Sequence, residues 1–370
     1  MKPFTLLIKP AGPDCNLACK YCFYSGKTSL FGNEKHRMSR NLMEKLVIDY
    51  LALGLEESGF AWQGGEPTLM GLDFYKEVVD LQEKHCKPDC HFANTLQTNG
   101  VLLDVDWCKF LSENNWLAGI SLDGPKELHD YYRRDYAGTG SFEKIMLAIE
   151  NCRKYDTQFN ILTLLNNKNV AEPDRLFDFF TENKFEFLQF VPCAEKDQTG
   201  KITDFSITPK QYGDFLCRTF DRWLEYGPKK VSIQLFDSLL SYCINGHHTI
   251  CTLSQKCSDY IVVEHNGDVF CCDFFVEERW KIGNIIETPI AELAGGEIKK
   301  KFTNLKSDVC NSCFVCRHKD ICRGGCLKDR LSGFGDYKQR SYFCESYKQF
   351  FDHSLPKFWQ IAADFVQGRI

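Results

Sequence analysis

An alternation constrains this chain more than any other feature. Short apolar, β-leaning runs at residues 4–8, 60–62, 92–96, 116–121, 159–165 and 185–190 are separated by stretches of helical period at 39–53, 72–85, 104–114, 141–155 and 173–183. Strand followed by helix, repeated in this way, predicts parallel strands joined by right-handed crossovers. The expected fold class is therefore α/β, an open or partial (β/α)6 barrel related to the TIM type. Ser39 and Ser141 stand where helix N-caps are expected.

Polar signatures fall at matching points of this rhythm. The loop DCNLACKYCFY follows the first apolar run and places Cys15, Cys19 and Cys22 at Cys-x3-Cys-x2-Cys spacing. QGGEPT (63–68) follows the second run, QTNG (97–100) closes the third and SLDGP (121–125) ends the fourth. Barrels of this kind carry their active sites at the C-terminal ends of the strands, so the four signatures are expected on one rim. Three thiolates on one short loop can hold three corners of an iron–sulfur cube, and the fourth iron then stays open to another ligand. A structural site is closed, whereas an open position serves chemistry. A zinc site with a distant fourth ligand is the alternative, although zinc motifs usually pair two separated Cys-x2-Cys units.

At 370 residues, 44% of them hydrophobic and 30 of them Phe, the chain can fill a large core. A formal net charge of -5 argues against nucleic acid as a partner. Lys299, Lys300 and Lys301 form a short basic run expected on a solvated helix face. No apolar run approaches the ~20 residues that span a membrane, and Lys9, Pro10 and Pro13 interrupt any signal-peptide core. A cytoplasmic setting is expected, where 20 Cys read as metal ligands instead of disulfides. Ten of them, Cys251, Cys257, Cys271, Cys272, Cys310, Cys313, Cys316, Cys322, Cys326 and Cys344, crowd a C-terminal region of weak periodicity that is expected to order around metal. The expected division is a barrel domain at 1–240 with a helical bridge at about 205–240, a Cys-rich domain at 241–346 and a closing helix at 347–370.

The Cys loop with an aromatic before its last Cys, and a GGEP motif one β/α unit later, resembles the radical S-adenosylmethionine superfamily. The Cys-rich C-terminal region is similar to the SPASM extension. LLIKPAGPDCNLACKYCFY, QGGEPTL, LQTNG, SLDGPKELHD, FLQFVPC, VFCCDFF, CRGGC and YFCESYKQFF narrow the resemblance to the anaerobic sulfatase-maturating enzymes, over nearly the whole chain.

The resemblance implies three [4Fe–4S] clusters and S-adenosylmethionine as cofactors. Cys15, Cys19 and Cys22 would hold the first cluster, whose open iron chelates the amino and carboxylate groups of the cofactor. Backbone at Gly64, Gly65 and Glu66 would receive the amino group and Arg133 the carboxylate, which a guanidinium grips in bidentate fashion. Ser121 would touch the ribose, and backbone near Tyr21 and Ala194 would border the adenine. Cys251, Cys257, Cys272 and Cys326 would form an inner auxiliary site, and Cys313, Cys316, Cys322 and Cys344 an outer one. Spacing alone leaves Cys271 open as a substitute for Cys272, and Cys310 as an alternative partner for Cys313. Cys86, Cys90, Cys108, Cys152, Cys193, Cys217 and Cys243 read as packing residues or idle thiols.

Asp273 would be the general base, while Tyr24 and Gln63 would line a peptide groove. The implied reaction oxidises a Cys or Ser of an unfolded or nascent sulfatase, within a Cys/Ser-x-Pro/Ala-x-Arg segment, to Cα-formylglycine. A 5′-deoxyadenosyl radical would remove the Cβ hydrogen, and a flavodoxin or ferredoxin would donate electrons. A monomer is the default expectation. The alternative within the superfamily is a SPASM enzyme forming thioether or carbon–carbon links in a precursor peptide. Many of those carry an N-terminal recognition domain, for which the position of Cys15 is expected to leave no room. An electron carrier or zinc-stabilised binding protein would explain the Cys but not the strand-end signatures.

Overall fold

The computed structural model describes residues 3–87, 89–330 and 337–369. Ile370, the end of the expected closing segment, and 331–336, inside the expected Cys-rich domain, lie outside the described residues. Ten strands are present among the described residues: β1 (Thr5–Lys9), β2 (Glu57–Trp62), β3 (His91–Thr98), β4 (Leu117–Ser121), β5 (Phe159–Leu165), β6 (Phe187–Pro192), β7 (Ser232–Ile233), β8 (Tyr260–Glu264), β9 (Asp268–Phe270) and β10 (Lys281–Asn284). The chain divides into two compact units.

The first unit comprises Met1–Ser121, His129–Phe159 and Ser258–Thr303. Its strands run in the order β10-β9-β8-β1-β2-β3-β4, with β1 to β4 mutually parallel and β1 also parallel to β8. Segment 258–303, whose strands the sequence did not announce, thus extends the sheet beside β1. Leu6 and Ile8 of β1 are fully buried, as expected for a strand covered on both faces. The helix Arg40–Leu51 starts on the Ser39 cap, whose side chain accepts from Leu42 N at 3.2 Å. Under the sheet Trp62 stacks on Trp116 at 6.3 Å, with Tyr75 edge-on to both. The Trp62 indole and the Gln82 amide both donate to Asn94 Oδ1 at 3.0 Å, whereas the buried Trp116 indole nitrogen has no hydrogen-bond partner among the described residues.

The second unit comprises Leu122–Leu128, Asn160–Cys257 and Asn304–Ile370. Here β5, β6 and β7 are parallel neighbours. Phe220, Trp223, Phe236, Phe350 and Phe358 form an aromatic core between helices Pro209–Tyr226, Gln234–Asn245 and Cys344–Val366.

Two expectations are corrected. Ser141 has no capping bond; its hydroxyl instead donates to the Arg133 carbonyl at 2.9 Å and meets His129 at 2.9 Å. The stretch expected as a helical bridge comprises helix Pro209–Tyr226, ended by Gly227 at φ 114°, and a second helix from Gln234 that follows β7. Lys299 is not solvated: it is 5% exposed and its ammonium donates to the carbonyls of Tyr260 and Cys271 at 2.7 and 3.0 Å. Lys300 stays at the surface, paired with Glu297.

Candidate active site

β1 ends at Lys9 and hands the chain to the cysteine loop. Gly12 N donates to Lys9 O at 3.0 Å and Cys22 N to Cys19 O at 3.1 Å, turning the loop tightly. Donors surround the Cys15 sulfur, with Leu17 N at 3.4 Å and Asn99 Nδ2 at 3.7 Å. The Asn99 amide also donates to Asn16 Oδ1 at 2.7 Å, tying the end of β3 to the loop. Asp14 accepts from His36 N at 3.0 Å and Arg37 Nη1 at 2.7 Å, and meets His36 Nδ1 at 2.7 Å. Burial pushes the Asp14 carboxyl up, but the bonds from His36 and Arg37 outweigh it and hold the group below the usual carboxylate range.

The turn after β2 packs directly against this loop. Gly65 N donates to Gly12 O and Glu66 N to Asp14 O, both at 2.8 Å. A Cβ on Gly65 would stand 2.0 Å from the Asp14 carbonyl oxygen, so only glycine allows the approach. Glu66 is fully buried, and its carboxylate accepts from Thr68 N at 3.0 Å, Thr68 Oγ1 at 2.6 Å, Thr98 Oγ1 at 2.7 Å and Asn99 N at 2.8 Å. Burial pushes its carboxyl up, and these four donors pull it part of the way back. With the N–H groups of Gly65 and Glu66 committed to the loop, a cationic amino group would be received here by carbonyl oxygens.

Arg133 is 7% exposed and lies 5.5 Å from the Tyr21 ring, whereas Arg134 is at the surface. Ser121, 8% exposed, ends β4 and accepts from Gln97 Nε2 at 3.4 Å. Gln63 follows β2 with its N–H on Ile8 O at 2.8 Å. Ala194 is buried in the second unit, just past β6.

Asp273 opens a 3-10 turn, Asp273–Phe275, directly after Cys272. It forms an ion pair with Lys9, the last residue of β1. The Lys9 ammonium sits 3.4 Å from the centroid of the Tyr24 ring, and the Tyr24 hydroxyl donates to Glu264 Oε1 at 2.5 Å. Tyr24 is 1% exposed and meets this network through both its ring and its hydroxyl. Lys9, Glu264, Asn99 and His36 were not among the expected site residues. A lysine closing an apolar strand beside a cysteine loop was the one available signal for Lys9, and Asn99 lies in the QTNG signature; nothing local distinguished Glu264 or His36.

The second unit holds a small cavity lined by Cys313, Cys316, Cys322 and Cys344, together with His318, Tyr347 and Phe351. Cys344 enters as the first residue of helix Cys344–Val366. Cys310 stands beside the set, its sulfur 3.4 Å from that of Cys313. Cys251, Cys257 and Cys326 belong to this unit and Cys272 to the first, where the Cys272 sulfur lies 3.1 Å from the Tyr260 hydroxyl. Cys271 is 1% exposed, with its N–H on Trp280 O.

Among the described residues none of the 20 Cys is joined in a disulfide. Burial pushes Cys15 and Cys313 up to about 12 and Cys322 to about 11, so without metal they stay protonated and serve as ligands only when a metal replaces the proton. Among the described residues no three His, Cys, Asp or Glu side chains converge as they would on one metal ion. Cys313, Cys316, Cys322 and Cys344 around one cavity supply the four thiolates that a cluster takes.

The family model for the radical SAM superfamily matches residues 10–180, and that for the SPASM iron–sulfur cluster-binding domain matches 251–317. The chain is 38% identical to a cysteine-type anaerobic sulfatase-maturating enzyme of Clostridium perfringens, over 98% of this chain and 99% of the relative. It is 36% identical to a serine-type enzyme of Bacteroides thetaiotaomicron, over 96% and 90%. A solved structure of native anSMEcpe with bound AdoMet and Cp18Cys peptide superposes with a TM-score of 0.91 at 37% identity, covering 98% of this chain and 99% of the other.

Proposed function

We propose a reaction for this protein from one established premise: the chain belongs to the anaerobic sulfatase-maturating enzymes of the radical SAM superfamily. Its fold is the radical SAM partial barrel with a SPASM domain, and its cofactors are [4Fe–4S] clusters and S-adenosylmethionine. The reaction is oxidation of one Cys or Ser in a sulfatase polypeptide to Cα-formylglycine. The pairing of Asp273 with Lys9, at the strand end that launches the cysteine loop, carries this reading. It puts a carboxylate that can take a proton where the first cofactor site begins.

When bound, the first cluster and S-adenosylmethionine supply the radical that takes a Cβ hydrogen from the substrate. The residues of the chain do the rest. Cys15, Cys19 and Cys22 would hold three irons; carbonyls of Gly64, Gly65 and Glu66 would receive the amino group, and Arg133 the carboxylate. Ser121 would position the ribose, and backbone at Tyr21 and Ala194 the adenine. Asp273 takes the thiol or hydroxyl proton. Cys251, Cys257, Cys272 and Cys326 would hold an inner auxiliary cluster and Cys313, Cys316, Cys322 and Cys344 an outer one, and such clusters would accept the remaining electron. A Cys substrate thus becomes a thioaldehyde, which water converts to the aldehyde with release of hydrogen sulfide; Ser gives the aldehyde directly.

The relatives are named for both cysteine-type and serine-type maturation, and one solved structure holds a peptide. The substrate is accordingly read as an extended Cys/Ser-x-Pro/Ala-x-Arg segment, with Tyr24 and Gln63 near it. A flavodoxin or ferredoxin would supply electrons to a cytoplasmic monomer. No helix among the described residues is long and apolar enough to cross a membrane. The test is anaerobic incubation of the reconstituted enzyme with Cys and Ser peptides of this motif, reductant and S-adenosylmethionine. Mass spectrometry should find the aldehyde at the target residue; cofactor cleavage with both peptides unchanged, or a crosslinked product, rejects the reading.

A further inference from the structure

Lys9 is 1% exposed at the C-terminal end of β1 and is the register partner of Glu264 at the end of β8. Removing an ammonium from water costs several kcal/mol unless close partners offset it. Two partners do so, the Asp273 carboxylate and the face of Tyr24 at 3.4 Å. The bond from the Tyr24 hydroxyl to Glu264 fixes the tilt of that ring. Gly64 leaves the space, since a Cβ there would lie 3.1 Å from Lys9 Cβ. A second lysine holds the same segment further along, where Lys27 Nζ donates to Val276 O at 2.9 Å. Among the described residues no hydrogen bond reaches Asp273 Oδ1, and at that oxygen the ion pair with Lys9 constrains the carboxylate.

We propose that Lys9 is a positioning residue: its ammonium, seated on Tyr24, aims the Asp273 carboxylate at the thiol or hydroxyl of the substrate. The assignment rests on the reading of Asp273 as the base. It separates two halves of the machinery. The cofactor half uses Cys15, Cys19 and Cys22, the Gly64–Glu66 turn and Arg133, whereas the Lys9 ammonium is engaged with Asp273 and the Tyr24 ring. The proton-removal half depends on where the carboxylate points. Removing the positive charge should therefore uncouple the two.

Lys9→Met and Lys9→Arg, made in the reconstituted full-length enzyme, test this, with iron content and thermal unfolding measured first. Lys9→Met should cleave S-adenosylmethionine within about 3-fold of wild type but form aldehyde about 10- to 100-fold more slowly, because general-base catalysis contributes factors of about 10²–10⁴. The ratio of 5′-deoxyadenosine to aldehyde then rises at least 10-fold. Peptide affinity, read by fluorescence anisotropy, should stay within about 3-fold, and Lys9→Arg should restore most of the coupling. A double-mutant cycle gives the decisive arm. If Lys9 acts through Asp273, Lys9→Met adds nothing to the loss already caused by Asp273→Asn. Additive losses, wild-type coupling in Lys9→Met, or a parallel fall in iron content and cofactor cleavage would each overturn the proposal. Wild-type enzyme that cleaves cofactor without oxidising either peptide overturns the function itself, and the role of Lys9 falls with it.

Discussion

The alpha carbon of Gly65 and the carbonyl of Asp14 approach so closely that a methyl group on the glycine would stand 2.0 Å from the Asp14 oxygen. This contact joins the turn after β2 to the loop that carries Cys15, Cys19 and Cys22. Gly65→Ala must displace one backbone from the other, because neither is the end of a flexible side chain. A displacement of about 1 Å in a reactive constellation costs on the order of 100-fold in rate. The variant should therefore lose about 100-fold in S-adenosylmethionine cleavage and bind the cofactor weakly by equilibrium dialysis. The turn belongs to neither auxiliary Cys set, so its iron should fall only by the share of the first cluster. Cleavage within 3-fold of wild type would mean that the turn does not meet the cofactor.

Glu66→Gln probes the other half of the same turn. The Glu66 carboxylate faces four donors, from Thr68, Thr98 and Asn99, and is fully buried. A neutral amide must place its NH2 against at least one of them. The expected cost is about 1–3 kcal/mol, the range for leaving a buried polar group unsatisfied. The check is chemical denaturation of the holoprotein under anaerobic conditions. An unchanged midpoint would show that the amide finds an acceptor that the present geometry lacks.

The first four strands were legible because each carries its own apolar run and ends in a signature, such as the close-approach glycine at 65. Ser39 worked as a cap because an N-cap is a local device, three residues long. Ser141 did not, because its hydroxyl is claimed by the Arg133 carbonyl eight residues upstream. Lys299 read as a solvated charge and Lys9 only as a break in an apolar run until the fold supplied their partners, the Tyr260 and Cys271 carbonyls for Lys299 and Asp273 for Lys9. Those partners lie far along the chain, and no window of sequence brings them together. Strands β8 to β10 were missed for a related reason. Each spans three to five residues, too few to show a period, and they are held by pairing to β1 and to each other.

Cys344→Ala should remove a cluster without removing the first reaction step. Cys344 lines the same cavity as Cys313, Cys316 and Cys322 and starts the helix Cys344–Val366. Losing one of four thiolates should lower iron by about four atoms per chain. Cleavage of S-adenosylmethionine should persist, since the first cluster is ligated by Cys15, Cys19 and Cys22, while aldehyde formation falls at least 10-fold. Cys310→Ala makes the companion variant, for its sulfur stands 3.4 Å from that of Cys313 and outside the lining of the cavity. It should keep the full iron content. The reverse pattern would exchange the two assignments.

Asp329 gives the protein a pH dependence of defined sign. The residue is 5% exposed, and burial pushes its carboxyl up from 3.8 to about 6, with Lys328 pulling it down and Glu195 adding to the rise. Lys328 cannot neutralise it fully, because its ammonium is already held by Glu195 at 2.5 Å. A carboxyl whose folded value lies above its unfolded value binds its proton more tightly in the folded state. Its stabilising contribution is complete below about pH 3.8 and is lost as pH rises through about 6, a total on the order of 3 kcal/mol. Asp329→Asn stays neutral throughout. Its melting temperature should therefore gain on wild type as pH rises from about 5 to about 7, by roughly 1 kcal/mol or about 2–4 °C, and hold a constant lead above that. The lower limit of pH 5 keeps other carboxylates, such as Asp14, ionised in both proteins. Parallel melting curves across this window would show that Asp329 is ionised in the folded state, with Lys328 shared between it and Glu195.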